Sequence, residues 1–114
     1  MDCIFCDLKN KKMPAQIIAK NKDFFAIFDI NPKAQKHILI ISNRHAENFH
    51  DYFSKNPENF KSFIEITNSL IEKYSLSESD AGYKIICNSG EKAGQSVNHF
   101  HAHLLSGKIG NWQV

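Results

Sequence analysis

The chain has 114 residues, of which 42% are hydrophobic and 23% charged, and its formal net charge is +2. This length fits one compact domain and excludes a large α/β barrel or a multidomain enzyme. The composition is that of a folded protein, and the 14 basic residues are scattered instead of forming one basic face. We therefore expect a single domain, residues 1–114, that does not bind nucleic acid.

The sequence also predicts a cytoplasmic location without membrane association. No stretch approaches the roughly 18 consecutive apolar residues of a membrane span, and the first residues lack the pattern of a signal peptide. Three cysteines, an odd number, do not fit a disulfide-stapled secreted fold.

The first half of the chain predicts a short helical turn followed by strands. Ile4, Phe5 and Leu8 share one side of the turn. Apolar runs predict strands over 16–20, 24–28 and 37–41, separated by turn residues at 21–23 and by Asn31-Pro32. Residues 44–53 are predicted to be helical.

The second half of the chain contains the most regular predicted element, a helix that begins at Asn56-Pro57-Glu58. Its apolar face has spacings of three and four and consists of Phe60, Phe63, Ile64, Thr67, Leu70, Ile71 and Tyr74. Further strands are expected over 83–88 and 97–105, with a loop over 89–94 and a tail that carries Trp112. Without alternation of strands and helices, this pattern indicates an α+β fold with a mostly antiparallel sheet.

Three histidines alternate along the last predicted strand. In an extended strand His99, His101 and His103 share one face, about 6.5–7 Å apart, and the apolar residues between them share the other. Such a row suits a metal site, a nucleophile with assisting neighbours, or an acid–base relay. The loop before it offers backbone N–H groups, the Gln95 amide and the Ser96 hydroxyl to an anion, which favours phosphate chemistry.

Cys3 and Cys6 form a CxxC pair near the start of the chain. A redox pair of this spacing normally lies in a βαβ unit, which the predicted elements lack. The pair therefore favours half of a metal site, and Cys87, in an apolar run, favours the core.

The segment 94–105, Gly-Gln-Ser-Val-Asn-His-Phe-His-Ala-His-Leu-Leu, resembles the signature of the histidine triad family. Its first four residues are similar to those of the nucleoside-phosphoramidase branch, and residues 28–45 are similar to the family's nucleotide-binding stretch. The resemblance implies a five-stranded antiparallel sheet with one long helix and one or two short ones. It also implies a two-fold homodimer.

The resemblance further implies the roles of individual residues. His101 is expected to be the nucleophile, His103 to contact the phosphate and leaving group, and Ser96 to assist as a phosphate-contacting neighbour. Asp29 is expected to bind the ribose. The remaining expected nucleotide contacts are Ile4, Phe5, Leu8, Ile27, Ile30, Asn88, Gly94 and Gln95. His37 resembles a family histidine that supports the catalytic row.

A metal site is also implied. Family members with this CxxC pair hold zinc with two further histidines, so the expected ligands are Cys3, Cys6, His45 and His99, in a structural Cys₂His₂ site. Catalysis itself is expected to need no cofactor. One departure is the end of the chain, where Trp112 is present but the family's Pro-Pro tail is not.

The function implied is release of a purine nucleoside monophosphate from a phosphoramidate through a nucleotidyl-histidine intermediate, with a purine nucleotide or nucleotide conjugate as partner. The alternatives are a dinucleoside polyphosphate hydrolase and a zinc-stabilised nucleotide-binding module with vestigial catalysis. A metal-dependent hydrolase that uses the histidine row as ligands ranks third.

Overall fold

The computed structural model describes residues 3–12, 15–77 and 81–109. In this part of the chain, an antiparallel sheet of five strands has the order β1-β2-β3-β5-β4. Three helices accompany the sheet, and α3 is the long one, so the predicted α+β fold is confirmed. The elements are α1 (Ile4–Lys9), β1 (Ile17–Lys20), β2 (Phe24–Phe28), β3 (Ala34–Ser42), α2 (Phe49–Lys55), α3 (Phe60–Lys73), β4 (Tyr83–Ile86) and β5 (His101–Ile109).

The main core lies between one face of the sheet and helices α2 and α3. Leu70 of α3 packs there with Ile40 of β3 and Leu104 of β5, and all three side chains are fully buried. The spacing of three and four in α3 places Phe63, Thr67, Leu70 and Ile71 on this face, as predicted. Phe60 and Ile64 were also predicted there but are 44% and 43% exposed, and the buried Ile66 was not predicted. The core therefore fixes which side chains of β5 face away from the helices.

The opposite face of the sheet is covered by α1. Phe5 and Leu8 of α1 pack against Phe25, Leu39 and Ile41 in a second apolar cluster. Strand side chains that point away from the main core therefore lie in a second layer, which α1 covers in part. His99 and His101 are accordingly buried and do not lie on an open surface of the sheet.

Two boundaries in the helical region differ from the prediction. The side chain of Asn48 accepts a hydrogen bond from the Asp51 N–H (3.0 Å), so α2 begins at Phe49 and not at residue 44. The Asn56 side chain does not cap a helix; it accepts from Arg44 Nη1 (2.8 Å), and a 3₁₀ turn over Pro57–Asn59 precedes α3.

The last strand begins later than predicted, at His101 and not at residue 97. Before it, the Phe100 N–H donates to the Ala46 carbonyl (2.7 Å), and the His99 N–H donates to Val97 (2.9 Å). These bonds bend the chain at 97–99, so only His101 and His103 of the triad lie in the strand. Trp112 lies outside the described residues.

None of the helices in the described part of the chain is both long and apolar enough to cross a bilayer.

Candidate active site and metal cluster

A cleft of about 510 Å³ opens between α1 and the face of the sheet opposite α3. Most of the nucleotide-binding residues predicted from the sequence line it, together with several that were not predicted. Its lining consists of Ile4, Phe5, Leu8, Ala15, Gln16, Ile27, Phe28, Asp29, Ile30, Leu39, Ser96, Val97, His101 and His103.

Asn88, Gly94 and Gln95, which were predicted to contact the nucleotide, lie outside this lining. Gln95 is buried, and its amide braces the loop: Nε2 donates to the carbonyls of Glu47 and Val97, while Oε1 accepts from an N–H within the loop. Gly94 has a φ of +92°, and the Asn88 side chain packs against it. In this geometry these residues shape the loop that carries Ser96.

The His101 ring is held so that one nitrogen is ready for chemistry. Its Nδ1 lies 2.8 Å from the carbonyl oxygen of His99. A carbonyl only accepts hydrogen bonds, so Nδ1 carries the proton and Nε2 keeps its lone pair. The side chain is only 6% exposed and contacts the Phe5 ring edge-on at 4.9 Å. Burial lowers the pKa of His101, which keeps the ring neutral near pH 7.

His103, Asp29 and His37 form a connected group beside His101. The Lys33 N–H donates to His37 Nδ1 (3.0 Å), so the neutral His37 ring has its proton on Nε2. This Nε2 lies 2.9 Å from His103 Nδ1 and 3.5 Å from Asp29 Oδ2. With His103 Nδ1 accepting, its own proton is on Nε2. Burial lowers the pKa of both rings, that of His103 to about 4.

The same three side chains have ligand atoms within 4.8 Å of one another, a spacing that would fit a metal ion. The hydrogen bonds argue against that use. His37 Nδ1 is occupied as an acceptor from the Lys33 N–H, so Nε2 carries a proton and has no lone pair for a metal. The His37 Nε2–H therefore donates to His103 Nδ1, and the Asp29 carboxylate lies beside the same N–H.

A second group, of four side chains, does have lone pairs available for a metal ion. Cys3, Cys6, His45 and His99 also place their ligand atoms within 4.8 Å of one another. His99 Nδ1 lies 3.3 Å from Cys3 Sγ and 3.1 Å from His45 Nδ1, and Cys6 Sγ lies 3.3 Å from His45 Nδ1. A zinc tetrahedron with bonds of about 2.0–2.3 Å has edges of about 3.3–3.8 Å, so this donor set fits a metal ion.

The outer contact of His99 supports the same fit. His99 Nε2 lies 2.7 Å from the Ser42 carbonyl oxygen and donates to it, which leaves the Nδ1 lone pair directed at the cysteines. Cys3 is also the N-cap residue of α1. The cluster therefore joins α1, the loop before α2 and the segment before β5 at one point.

Sequence reasoning did not place Phe28, Leu39, Val97, Ala15 or Gln16 in the cleft. Leu39 shows why: it is paired with His103 in the β3–β5 register, so both side chains lie on the same face. Periodicity shows that residues of one strand share a face, but it does not give the register between distant strands.

Comparison with known proteins matches residues 10–110 to the HIT domain family model. An uncharacterised HIT-like protein of Methanocaldococcus jannaschii is 32% identical over 98% of this chain and 84% of its own length. The purine nucleoside phosphoramidase of Escherichia coli is 30% identical over 94% of this chain and 88% of its own.

A solved structure, a HIT family hydrolase from Clostridium thermocellum, has a TM-score of 0.86 and is 33% identical. The match covers 99% of this chain and 96% of that one. The matches in sequence and in fold agree with the histidine geometry, and the chain therefore belongs to the HIT domain family.

Proposed function

We propose that this HIT protein is a hydrolase that releases a purine nucleoside monophosphate from a phosphoramidate, with His101 as the nucleophile. One observation carries the proposal: His101 Nδ1 donates to the His99 carbonyl, which leaves the Nε2 lone pair of a neutral ring in the cleft. The related phosphoramidase of Escherichia coli supports the choice of substrate class.

In the first step, His101 Nε2 forms a bond to the α-phosphorus while the P–N bond of the substrate breaks. The electron pair of that bond goes to the leaving nitrogen, which takes a proton from solvent water relayed through the Ser96 hydroxyl, while the neutral His103 donates a hydrogen bond from Nε2 to a phosphoryl oxygen. The histidine gains positive charge as it is phosphorylated, and its Nδ1–H bond to the His99 carbonyl offsets that charge.

In the second step, water attacks the same phosphorus and the bond to His101 breaks. The proton lost by the attacking water passes through the same Ser96 hydroxyl to the solvent, which replaces the proton given up in the first step, and the ring recovers its lone pair. The His37 bond keeps His103 in the tautomer with its proton on Nε2.

The apolar part of the cleft supports a purine as the bound base. Phe5 and Leu8 of α1 face Ile27 and Leu39 of the sheet in a single apolar cluster that lines the cleft. A flat base buries its two faces between such walls. Asp29, at the end of β2, offers carboxylate oxygens suited to the ribose hydroxyls.

We propose that the ion held by Cys3, Cys6, His45 and His99 is zinc and that it is structural. When bound, it would cross-link α1 to the segments before α2 and before β5. Four protein ligands leave no open position for substrate, and His101 attacks without it.

The direct test is release of AMP from adenosine 5′-phosphoramidate. We expect activity in the native protein and at least a hundredfold loss in His101→Ala, which corresponds to about 2.7 kcal/mol of barrier. The matched control is His50→Ala, an exposed histidine on α2, which should keep full activity. Brief treatment with EDTA should leave the rate unchanged.

Two outcomes would contradict the proposal. If AMP binds but nothing is released, the protein is a nucleotide-binding module. If a dinucleoside polyphosphate is cleaved and the phosphoramidate is not, the catalytic histidine stands but the substrate class is wrong.

A further inference from the structure

A second pocket lies at the C-terminal end of α1, whereas the metal cluster lies at its N-terminal end. The proposed reaction does not use this pocket. This pocket, of about 280 Å³, lies between the last turn of α1, the β1–β2 turn and the loop that follows β3. We call it the basic pocket; it is lined by Lys9, Lys22, Asp23, Asn43, Arg44, Tyr52 and Asn59.

Three of these side chains are cations, and only one is an acid. In the described part of the chain Lys9, Lys22 and Arg44 form no ion pair with a carboxylate. Asp23 already accepts a hydrogen bond from the Ser62 hydroxyl (2.6 Å). The lining therefore has an excess of two positive charges, which matches the charge of a phosphate dianion.

One cation of the basic pocket, Arg44, is held in place by a hydrogen bond. Arg44 Nη1 donates to Oδ1 of Asn56 (2.8 Å), and the buried Asn56 amide in turn donates to the Tyr52 carbonyl (2.9 Å). This anchor uses one of the five N–H groups of the guanidinium and fixes the direction of the others. A guanidinium fixed in this way loses less entropy when it binds an oxyanion.

Tyr52 adds a buried donor. Its side chain is 1% exposed, and its ring packs between Phe24 and Phe100 in the main core. The hydroxyl oxygen accepts from Asn59 Nδ2 (3.0 Å), while within the described residues the hydroxyl proton has no protein acceptor. A buried hydroxyl whose proton is unpaired costs free energy unless a ligand or water accepts it.

We propose that the basic pocket binds a phosphate-class oxyanion, held by Lys9, Lys22 and Arg44 and by the hydroxyl proton of Tyr52. This site does not depend on the proposed reaction. Lys9 belongs to the last turn of α1, whereas Cys3 caps its first turn. A bound anion would hold the C-terminal end of the helix that forms one wall of the cleft.

The test is a titration with inorganic phosphate, followed by the amide NMR shifts of Lys22, Asn43 and Arg44, at constant ionic strength set with chloride. The titration is run with and without saturating adenosine, a nucleoside without a phosphate, as the cleft ligand. We expect saturable shifts at these amides that persist with adenosine and recur with sulfate. Shifts confined to cleft residues, or no saturable shift up to about 10 mM phosphate, would overturn the proposal. A second titration with ribose 5-phosphate compares a phosphate monoester with the inorganic ion. The ligand that binds more tightly identifies which of the two kinds of phosphate the pocket favours.

Variants decide whether phosphate binding depends on the basic pocket or on the general positive charge of the surface. Lys22→Gln and Arg44→Gln should each weaken phosphate binding at least fivefold, and Tyr52→Phe should weaken it while keeping the ring. Lys108→Gln, an exposed lysine on β5 outside the pocket lining, is the control and should change the affinity less than twofold. Equal weakening by Lys22→Gln and Lys108→Gln would overturn the proposal even if Arg44→Gln altered the fold.

Discussion

His37 and His99 are both buried histidines, but the protein engages their ring nitrogens in opposite ways. His99 donates from Nε2 to the Ser42 carbonyl and presents an Nδ1 lone pair to the cysteines. His37 accepts at Nδ1 from a backbone N–H and presents an N–H to His103. One backbone group therefore decides whether the ring serves as a metal ligand or as a proton donor.

The first residue-scale prediction concerns His37→Asn, which removes the donor to His103 Nδ1. His103 would lose its fixed tautomer, so we expect kcat to fall about 10- to 100-fold with little change in KM. Steady-state kinetics with the phosphoramidate measures this split, and His50→Asn is the control. A raised KM at unchanged kcat would show that His37 only shapes the binding site.

The second residue-scale prediction concerns pH. Burial lowers the pKa of His37 and of His103, the latter to about 4, below the value of about 6.5 in an unfolded chain. The unfolded state then binds more protons, so stability is full above pH 6.5 and falls as the pH drops towards 4. Urea unfolding at several pH values in this range gives the change in the free energy of unfolding per pH unit. We expect this change to be smaller in His103→Gln and unaltered in His50→Gln. An equal slope in His103→Gln would contradict the pKa assignment.

At the scale of elements, α3 was predictable and the start of β5 was not. The apolar spacing of α3 is local information, because the residues of one helix face repeat every three or four positions. The bend before β5 depends on the Phe100 N–H bond to Ala46 and on the Cys3 contact with His99, both between residues far apart in the chain. The sequence therefore predicted the strand's presence but not its first residue.

The same limit applies to the candidate site. The motif indicated His101 and His103, because residue type and spacing carry that information. The inner role of Gln95 was not predictable, because its partners include the Glu47 carbonyl in a separate loop. Its place in the loop before the histidines and the family resemblance predicted a phosphate contact, and the structure shows in addition that its amide braces the loop.

The element-scale prediction concerns the start of α2. Asn48→Ala removes the side-chain acceptor for the Asp51 N–H and should lower the free energy of unfolding by about 1 kcal/mol. Asn10→Ala, at the C-cap of α1, is the control, because within the described residues its side chain makes no hydrogen bond. Urea denaturation compares the two variants; equal effects would show that Asn48 is not the cap.

At the scale of the whole molecule, the metal cluster joins three segments that are distant in sequence. Cys3→Ser with Cys6→Ser removes two of four ligands, so we expect loss of bound zinc and a clearly lower Tm. The control is Cys87→Ser, at a cysteine that packs beside the main core; this variant of the protein should still bind zinc at the cluster. Metal analysis and thermal unfolding give both readouts, and unchanged zinc content in the double variant would contradict the assigned ligands.

The edges of the sheet bear on assembly. Within the described residues, β1 and β4 are the outer strands, and each has a neighbouring strand on one side only. On β4, Tyr83 is 44% exposed and Ile85 is 45% exposed, so the edge carries apolar side chains that a neighbouring strand would cover. Two copies that pair along β4 by a two-fold axis would form a ten-stranded sheet.

We predict such a homodimer and expect Ile85→Lys to shift it to the monomer, because a charge would be buried at the junction. Ile17→Lys, on the opposite edge strand and 38% exposed, adds the same charge and should remain a dimer. Sedimentation velocity distinguishes the monomer from the dimer by mass. Dissociation by Ile17→Lys alone would show that the interface lies at β1, and a native protein that sediments as a monomer would contradict the dimer.

A dimer through β4 would leave β1 and β2 at the outer ends of the sheet. Each copy would therefore keep its own cleft between β2 and α1.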